Sequence, residues 1–142
     1  MRQVRHLLES KNPDVVSIAP DAPVIEALRL MADAGVGAVL VMDGKKLVGI
    51  LSERDYARKV VLLGRTSSDT PVSEIMSHQV VCARPADSVD QCMQVMTDKR
   101  IRHLPILEHK EVVGIVSIGD LVKAVIDAQQ AELKHLQDYI AS

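Results

Sequence analysis

The sequence predicts an α+β fold, within the broad α/β class, of two pseudo-symmetric β-α-β-β-α repeats packed through their sheets. An added N-terminal helix precedes the repeats and a long C-terminal helix follows them. Three observations predict this. Residues 15–61, shifted by 65 positions, lie on residues 80–126 without a gap, with thirteen identities in forty-seven positions. Hydrophobic periodicity switches between helical and strand-like spacing at matching places in both copies. Apolar residues make up 47% of the chain, yet Tyr56 and Tyr139 are its only aromatics, so the interior is aliphatic. A unit of this size does not close a core alone, which makes the two copies one body with paired clefts.

The elements follow in order. Val4, Leu7 and Leu8 share one face of a leading helix over residues 2–10, which Asn12-Pro13 stops because proline lacks an N–H. Residues 15–18 form a short strand. Val24, Ala27, Leu28, Met31 and Ala32 have helical spacing, with Pro23 in the first turn and Gly35 closing the helix. Residues 37–42 and 46–51 are strands joined by Asp43-Gly44-Lys45, a hairpin signal because Asp-Gly tolerates positive φ. A helix starts after Ser52 and ends at Gly64. Residues 65–69 are a polar linker, and Thr70 caps one or two helical turns to Met76.

The second copy repeats the order. It has a strand at 80–83, a helix at 89–99 capped by Asp87 or Ser88, strands at 103–107 and 111–116, and a helix from Ile118. That helix runs on to the C-terminus with an apolar stripe through Leu121, Val122, Val125, Ile126, Ala128, Leu133, Leu136 and Ile140. The stripe is either a brace against the leading helix or a dimer contact. The expected boundaries are 1–12 for the N-terminal helix, 13–64 for repeat 1, 65–77 for linker and short helix, 78–128 for repeat 2 and 129–142 for the extension.

A net charge of −2 gives no basic footprint for nucleic acid and no attraction to an anionic membrane. Charges interrupt the N-terminus before any signal-peptide apolar run forms, and no stretch reaches the length of a spanning helix, so the cytoplasm is the expected location. Cys82 and Cys92 lack metal or redox spacing and read as small core residues. His6, His78, His109 and His135 show no ligand spacing, and no metal site is expected. Arg65-Thr66-Ser67-Ser68 reads as linker, with phosphate contact the alternative.

The aligned blocks Val48-Gly49-Ile50-Leu51-Ser52-Glu53-Arg54-Asp55 and Val113-Gly114-Ile115-Val116-Ser117-Ile118-Gly119-Asp120 carry the chemistry. In both, Ser-x-x-Asp at a strand-to-helix junction is the signature of a capping box. The same residues suit a ligand. A helix start favours a phosphate, glycine ahead of the cap lets a ligand or a packed neighbour come close, and a carboxylate accepts twice from a ribose diol. Arg54, on the first helical turn, is a phosphate-binding candidate or else a solvated residue paired with Glu53 or Asp55.

The order, size, hairpin turn and Gly-x-x-Ser-x-x-Asp ending resemble the cystathionine-β-synthase (CBS) domain, and two in tandem resemble a Bateman module. The likeness covers roughly residues 13–128, which implies a stand-alone member with no separate catalytic or transport domain. It implies that Ser52, Asp55, Ser117 and Asp120 bind phosphate and ribose. It places adenine against Val16, Ile18, Ala38 and Val39 in the first copy, and against Val81, Ala83, His103 and Leu104 in the second. Arg102 and His103 become phosphate-binding candidates by the same likeness. They stand opposite Gly37 and Ala38, and Arg54 stands opposite Gly119, so the two clefts differ in phosphate-binding power.

The resemblance implies a non-catalytic regulatory sensor of an adenosine-containing ligand: AMP, ADP, ATP, NAD or S-adenosylmethionine. Arg54, Arg102 and His103 favour phosphates over a sulfonium, and small Gly37-Ala38 leaves room for a dinucleotide, so AMP or NAD is preferred. A homodimer formed through the helices is expected, with no nucleic acid or membrane partner and no mark of a downstream protein. The alternatives are a structural dimerisation unit and a nucleotide hydrolase with His103 as base.

Overall fold

Leu40 and its counterpart in the second repeat, Pro105, decide how the two sheets differ. The computed structural model describes residues 2–10 and 15–141, which leaves the expected helix stop at Asn12-Pro13 outside the described residues. In the first repeat, Leu40 N–H donates to the Val16 carbonyl at 3.1 Å. There β1 (Ser17–Ile18) runs parallel to β2 (Ala38–Asp43), with Ser17 opposite Leu40. β2 turns through Gly44-Lys45 into antiparallel β3 (Lys46–Ser52), completing a sheet in the order β1-β2-β3.

In the second repeat, β4 (His103–Glu108) and β5 (Glu111–Ser117) form a two-stranded sheet. The strand expected at 80–83 shrinks to one parallel bridge between Ala83 and Ile106. Pro105 has no N–H to donate where Leu40 donates, so the ladder loses that rung. The bridge keeps the bonds proline allows. Ala83 N–H donates to the Pro105 carbonyl and Leu107 N–H to the Ala83 carbonyl, both at 2.9 Å. Val81 accordingly lies outside any strand.

The helices α2 (Val24–Ala34) and α4 (Val89–Lys99) bury matching faces, Val24, Ala27 and Met31 in one and Val89, Cys92 and Met96 in the other. Ser88, not Asp87, caps α4, in a capping box with Gln91. The Asp87 carboxylate instead accepts from the Arg84 N–H at 2.8 Å. Pro23 occupies the cap position of α2 rather than its first turn and offers no capping side chain. The Val24 and Ile25 amides donate instead to the linker carbonyls of Thr70 and Ser67, at 2.8 and 2.9 Å. Thr70 does not cap the next helix either. It is buried, its hydroxyl donates to the Thr66 carbonyl at 2.7 Å, and the helix is one 3-10 turn, Val72–Glu74, entered through Pro71.

The described residues fall into two compact units. One holds residues 15–81 with His109–Val113, and the other holds residues 2–10, Cys82–Glu108 and residues 114–141. Each unit includes a leading segment, and that segment is duplicated too, at a different offset. Pro23 bridges Pro71 and Ser88 bridges Gln3. Position 23 corresponds to 88 at the offset of the main repeat, whereas position 3 corresponds to 71 at a slightly longer one. Val72 and Ser73 N–H groups donate to the Ala22 and Pro20 carbonyls. Val4 and Arg5 N–H groups donate to those of Asp87 and Pro85.

Residues 70–77 thus close the core of the first repeat. Val72, Ile75 and Met76 join Ile18, Val24, Ala27, Met31, Val39, Val41, Leu51 and Val60 there. Residues 2–9 play this part for the second repeat, where Val4 and Leu7 are buried along with Ala83, Val89, Met96, Leu104, Ile106 and Val116. Each such aliphatic side chain contributes about 1.5–3 kcal/mol by leaving water.

After Ser52, α3 (Glu53–Tyr56) passes into a π turn, Ala57–Val61, and closes at Gly64, where Arg65 N–H donates to the Val60 carbonyl at 2.9 Å. The helix expected from Ser52 to Gly64 is therefore helical for most of its length but α-helical only in its first turn. The last helix, α5 (Ile118–Ala141), buries Leu121 and Ala124 and packs against α4. The leading helix, α1 (Val4–Ser10), lies against β5, with Leu8 over Gly114. Cys92 is buried as expected, but Cys82 is exposed, so only one cysteine belongs to the core.

Candidate functional site

Ser52 ends β3 in extended backbone, φ −113° and ψ 162°, so its hydroxyl turns back over the first turn of α3. The Asp55 N–H donates to Ser52 Oγ at 3.1 Å, and Asp55 Oδ2 accepts from both Ser52 N–H and Ser52 Oγ at 3.0 Å. At the second repeat, Asp120 N–H donates to Ser117 Oγ at 3.1 Å and Asp120 Oδ2 accepts from Ser117 N–H at 2.8 Å. Both Ser-x-x-Asp motifs are complete capping boxes. The cap occupies one oxygen of each carboxylate, out of about four acceptor positions that a carboxylate carries.

The start of each hairpin is tied to the same helix end. Glu53 N–H donates to the Gly37 carbonyl at 3.0 Å, and Ile118 N–H to the Arg102 carbonyl at 2.8 Å. Cap and hairpin together take the first and third amides of each helix. Among the described residues the second amides, those of Arg54 and Gly119, donate to no backbone carbonyl outside the helices, and they stand at the positive end of the helix dipole.

The candidate residues gather around these two junctions. In the first repeat Ala38 pairs directly with Ser52 and Val39 with Leu51, and Ile18 pairs with Val41 beside them. Ala38, Val39 and Ile18 are buried, and Val16 is half-buried with its carbonyl held by Leu40. In the second repeat Leu104 and Ala83 are buried, His103 is half-buried, and Arg102 is exposed with its carbonyl on the helix start. Val81 is half-buried outside the sheet. Arg54 is exposed, and among the described residues it forms no ion pair with Glu53 or Asp55.

The partner of Asp55 is Lys59, which the sequence reading passes over although its i,i+4 spacing is the usual signal for such a pair. Lys59 Nζ lies 3.5 Å from Asp55 Oδ1 and donates to the Ile75 carbonyl at 3.0 Å. Gly49 and Gly114 serve packing rather than ligand approach. A Cβ on Gly49 would stand 2.5 Å from Met76 Sδ, and one on Gly114 would stand 2.5 Å from Leu8 Cδ2. The linker is engaged as well: Arg65 pairs with Glu74, and the Thr66 hydroxyl donates to Asp69. Among the described residues no group of three or more His, Cys, Asp or Glu side chains could hold a metal ion. No helix there is long and apolar enough to cross a membrane.

Duplicated units of a parallel strand or bridge, a helix and a β-hairpin, each ending in a capped helix after Gly-x-x-Ser, define a class of small tandem-repeat modules. The chain belongs to the CBS-domain family, whose family model matches residues 4–62 and 72–127. Those matches begin at Val4 and Val72, and so include both leading segments.

CBS domain-containing protein CBSX3, mitochondrial, of Arabidopsis thaliana is 41% identical over 125 residues, 84% of this chain. The chain spans 61% of the length of that relative. YhcV of Bacillus subtilis is 37% identical over 113 residues, 80% of each chain. A CBS-domain structure from Burkholderia ambifaria MC40-6 superposes with a TM-score of 0.87 at 45% identity, covering 89% of this chain and 96% of that one. A CBS domain pair solved in complex with 5′-methylthioadenosine and S-adenosyl-L-methionine shares the fold, with a TM-score of 0.80 at 23% identity over 90% of this chain and 98% of that one.

Proposed function

We propose that the chain is a non-catalytic sensor module that binds an adenosine-containing nucleotide at its Ser-x-x-Asp helix ends, AMP or NAD in preference to ATP or ADP, and works as a homodimer in the cytoplasm. One observation carries this reading. In both repeats the cap leaves the second helical amide open toward an anion, with the Asp carboxylate beside it and small or aliphatic strand residues alongside. The amide and dipole suit a phosphate, the carboxylate suits a ribose diol, and Ala38, Val39, Ala83 and Leu104 suit a flat apolar base.

Ser52 and Asp55, with Arg54, would serve the first site, and Ser117 and Asp120, with Arg102 and His103, the second. Exposed Arg54 and Arg102 support phosphates over a sulfonium cation. The adenosyl ligands of the CBS pair described above belong to that protein and support the same ligand class here.

A thermal-shift panel of AMP, NAD, ATP, ADP, 5′-methylthioadenosine and S-adenosylmethionine tests the proposal. A ligand that binds the native state at about 100 times its Kd adds roughly 2.7 kcal/mol of stability. The complete capping boxes favour one rival, a structural dimerisation unit in which Ser and Asp are caps and nothing more. That rival predicts no shift with any ligand, together with a loss of stability in Asp55→Ala and Asp120→Ala. Release of phosphate or a cleaved nucleoside would show an enzyme instead.

A further inference from the structure

From Ile126 to Ala141 every residue of α5 is exposed, yet its large apolar side chains keep a strict order. Val122, Ile126, Leu133, Leu136 and Ile140, with Gln129 in the gap, form an unbroken row at spacings of four, three, four, three and four. Leu133 is 56% exposed, Leu136 53% and Ile140 76%. Spacings that alternate four and three are those of the a and d positions of two coiling helices. Beyond Ala124 no described residue of α5 is buried, and Gln129 lines a cavity with Arg2, Val89 and Asp90 of its own unit.

The geometry points to a second copy of the chain as the partner, α5 against α5 in parallel, in a short two-stranded coiled coil. This goes beyond the nucleotide reading and gives the homodimer in it a defined surface. The row is complementary to itself. In parallel each residue meets its own copy, with Ile126, Leu133 and Ile140 at one core position and Val122, Gln129 and Leu136 at the other. The two Gln129 amides then donate and accept mutually, so a polar core residue is satisfied and fixes the register.

An antiparallel pair that keeps every layer places Gln129 against Leu133, leaving the amide without a partner, and sets Glu132 against Glu132. The parallel pair sets Glu132 beside Gln137 and Val125 beside Gln130, with no like charges flanking the seam. Charge and polar complementarity therefore select one orientation of one occupant.

Sedimentation equilibrium of the full chain, with and without Leu133→Glu plus Leu136→Glu, tests this. Both side chains are exposed, so the fold survives, and unchanged far-UV circular dichroism checks it. The expected result is a concentration-dependent wild-type dimer that becomes monomeric in the double variant, and a tighter dimer in Gln129→Leu. In a Cys82→Ser background, Leu136→Cys should crosslink copies to one another under mild oxidation. A wild-type monomer at hundreds of micromolar, or a dimer indifferent to the two glutamates, overturns the proposal. Crosslinking only in a mixture of Leu136→Cys and Ile126→Cys chains overturns the parallel orientation. Neither outcome depends on any nucleotide binding, so failure here is distinct from failure of the sensor reading.

Discussion

Lys59 Nζ stands 3.5 Å from Asp55 Oδ1, and the equivalent position of the second repeat is Ala124, so this i,i+4 pair belongs to the first repeat. The same ammonium donates to the Ile75 carbonyl, tying the candidate site to the segment that closes the repeat's core. Lys59→Ala removes a partly exposed i,i+4 pair and one charged hydrogen bond, and should lower stability by about 1–2 kcal/mol. Urea unfolding reads this directly. A midpoint unchanged from wild type would show that the contact contributes nothing.

Gly114→Ala brings a methyl group against Leu8 and should cost about 1–3 kcal/mol. Leu8→Ala, made in that background, should return part of the loss, and a double-mutant cycle measures the coupling. Gly49→Ala differs, because its Cβ would also meet the Ser77 carbonyl at 3.0 Å, and backbone moves less readily than the flexible Met76 side chain. Met76→Ala should therefore rescue it less well. Purely additive effects at 8 and 114 would refute the packing role.

Arg100 ends α4 in the left-handed conformation, φ 56°, where its counterpart Gly35 ends α2 at φ 67°. Arg100→Gly should raise stability by about 0.5–1 kcal/mol, since glycine enters this region without a Cβ penalty. A lowered denaturation midpoint would mean that the Arg100 side chain contributes more than its backbone strain costs.

Burial, with the Asp87 carboxylate second, pushes the Cys92 thiol up to about 11 from 9.0, and burial raises Cys82 as well. The unfolded thiol ionises first, so the stability held by neutral Cys92 is fully present below about pH 9 and is lost as pH rises toward 11. Cys92→Ala should flatten this part of the stability profile relative to wild type, as read by chemical denaturation at stepped pH. Parallel profiles for the two proteins would contradict it.

The repeats were legible because Ser-x-x-Asp, Gly49, Gly114 and the buried faces of α2 and α4 keep one offset without a gap. The duplicated leaders were not, because residues 2–9 and 70–77 share only Val4 and Val72 as identities and align at a different offset from the rest of the repeat. Thr70 misleads as a cap because a threonine before Pro-x-x-Glu looks like a helix start, while its hydroxyl is drawn back to Thr66. The shortened strand at 80–83 was readable in principle, since Pro105 advertises the missing donor. At the site, the residue types were legible and their dual nature was not. Whether a serine and aspartate stop at capping or also receive a ligand depends on which acceptor positions and which amide the cap leaves open.

Calorimetric titration of the full chain with AMP and with NAD, repeated on the Asp55→Asn, Asp120→Asn and combined variants, bears most directly on the central claim. Asparagine keeps an oxygen for the cap but gives up the second acceptor needed for a diol. The account predicts saturable binding to the wild type, weaker binding to each single variant at its own site, and none to the double variant, which still unfolds cooperatively. Heat indistinguishable from dilution in the wild type, or binding unchanged in the double variant, would contradict it.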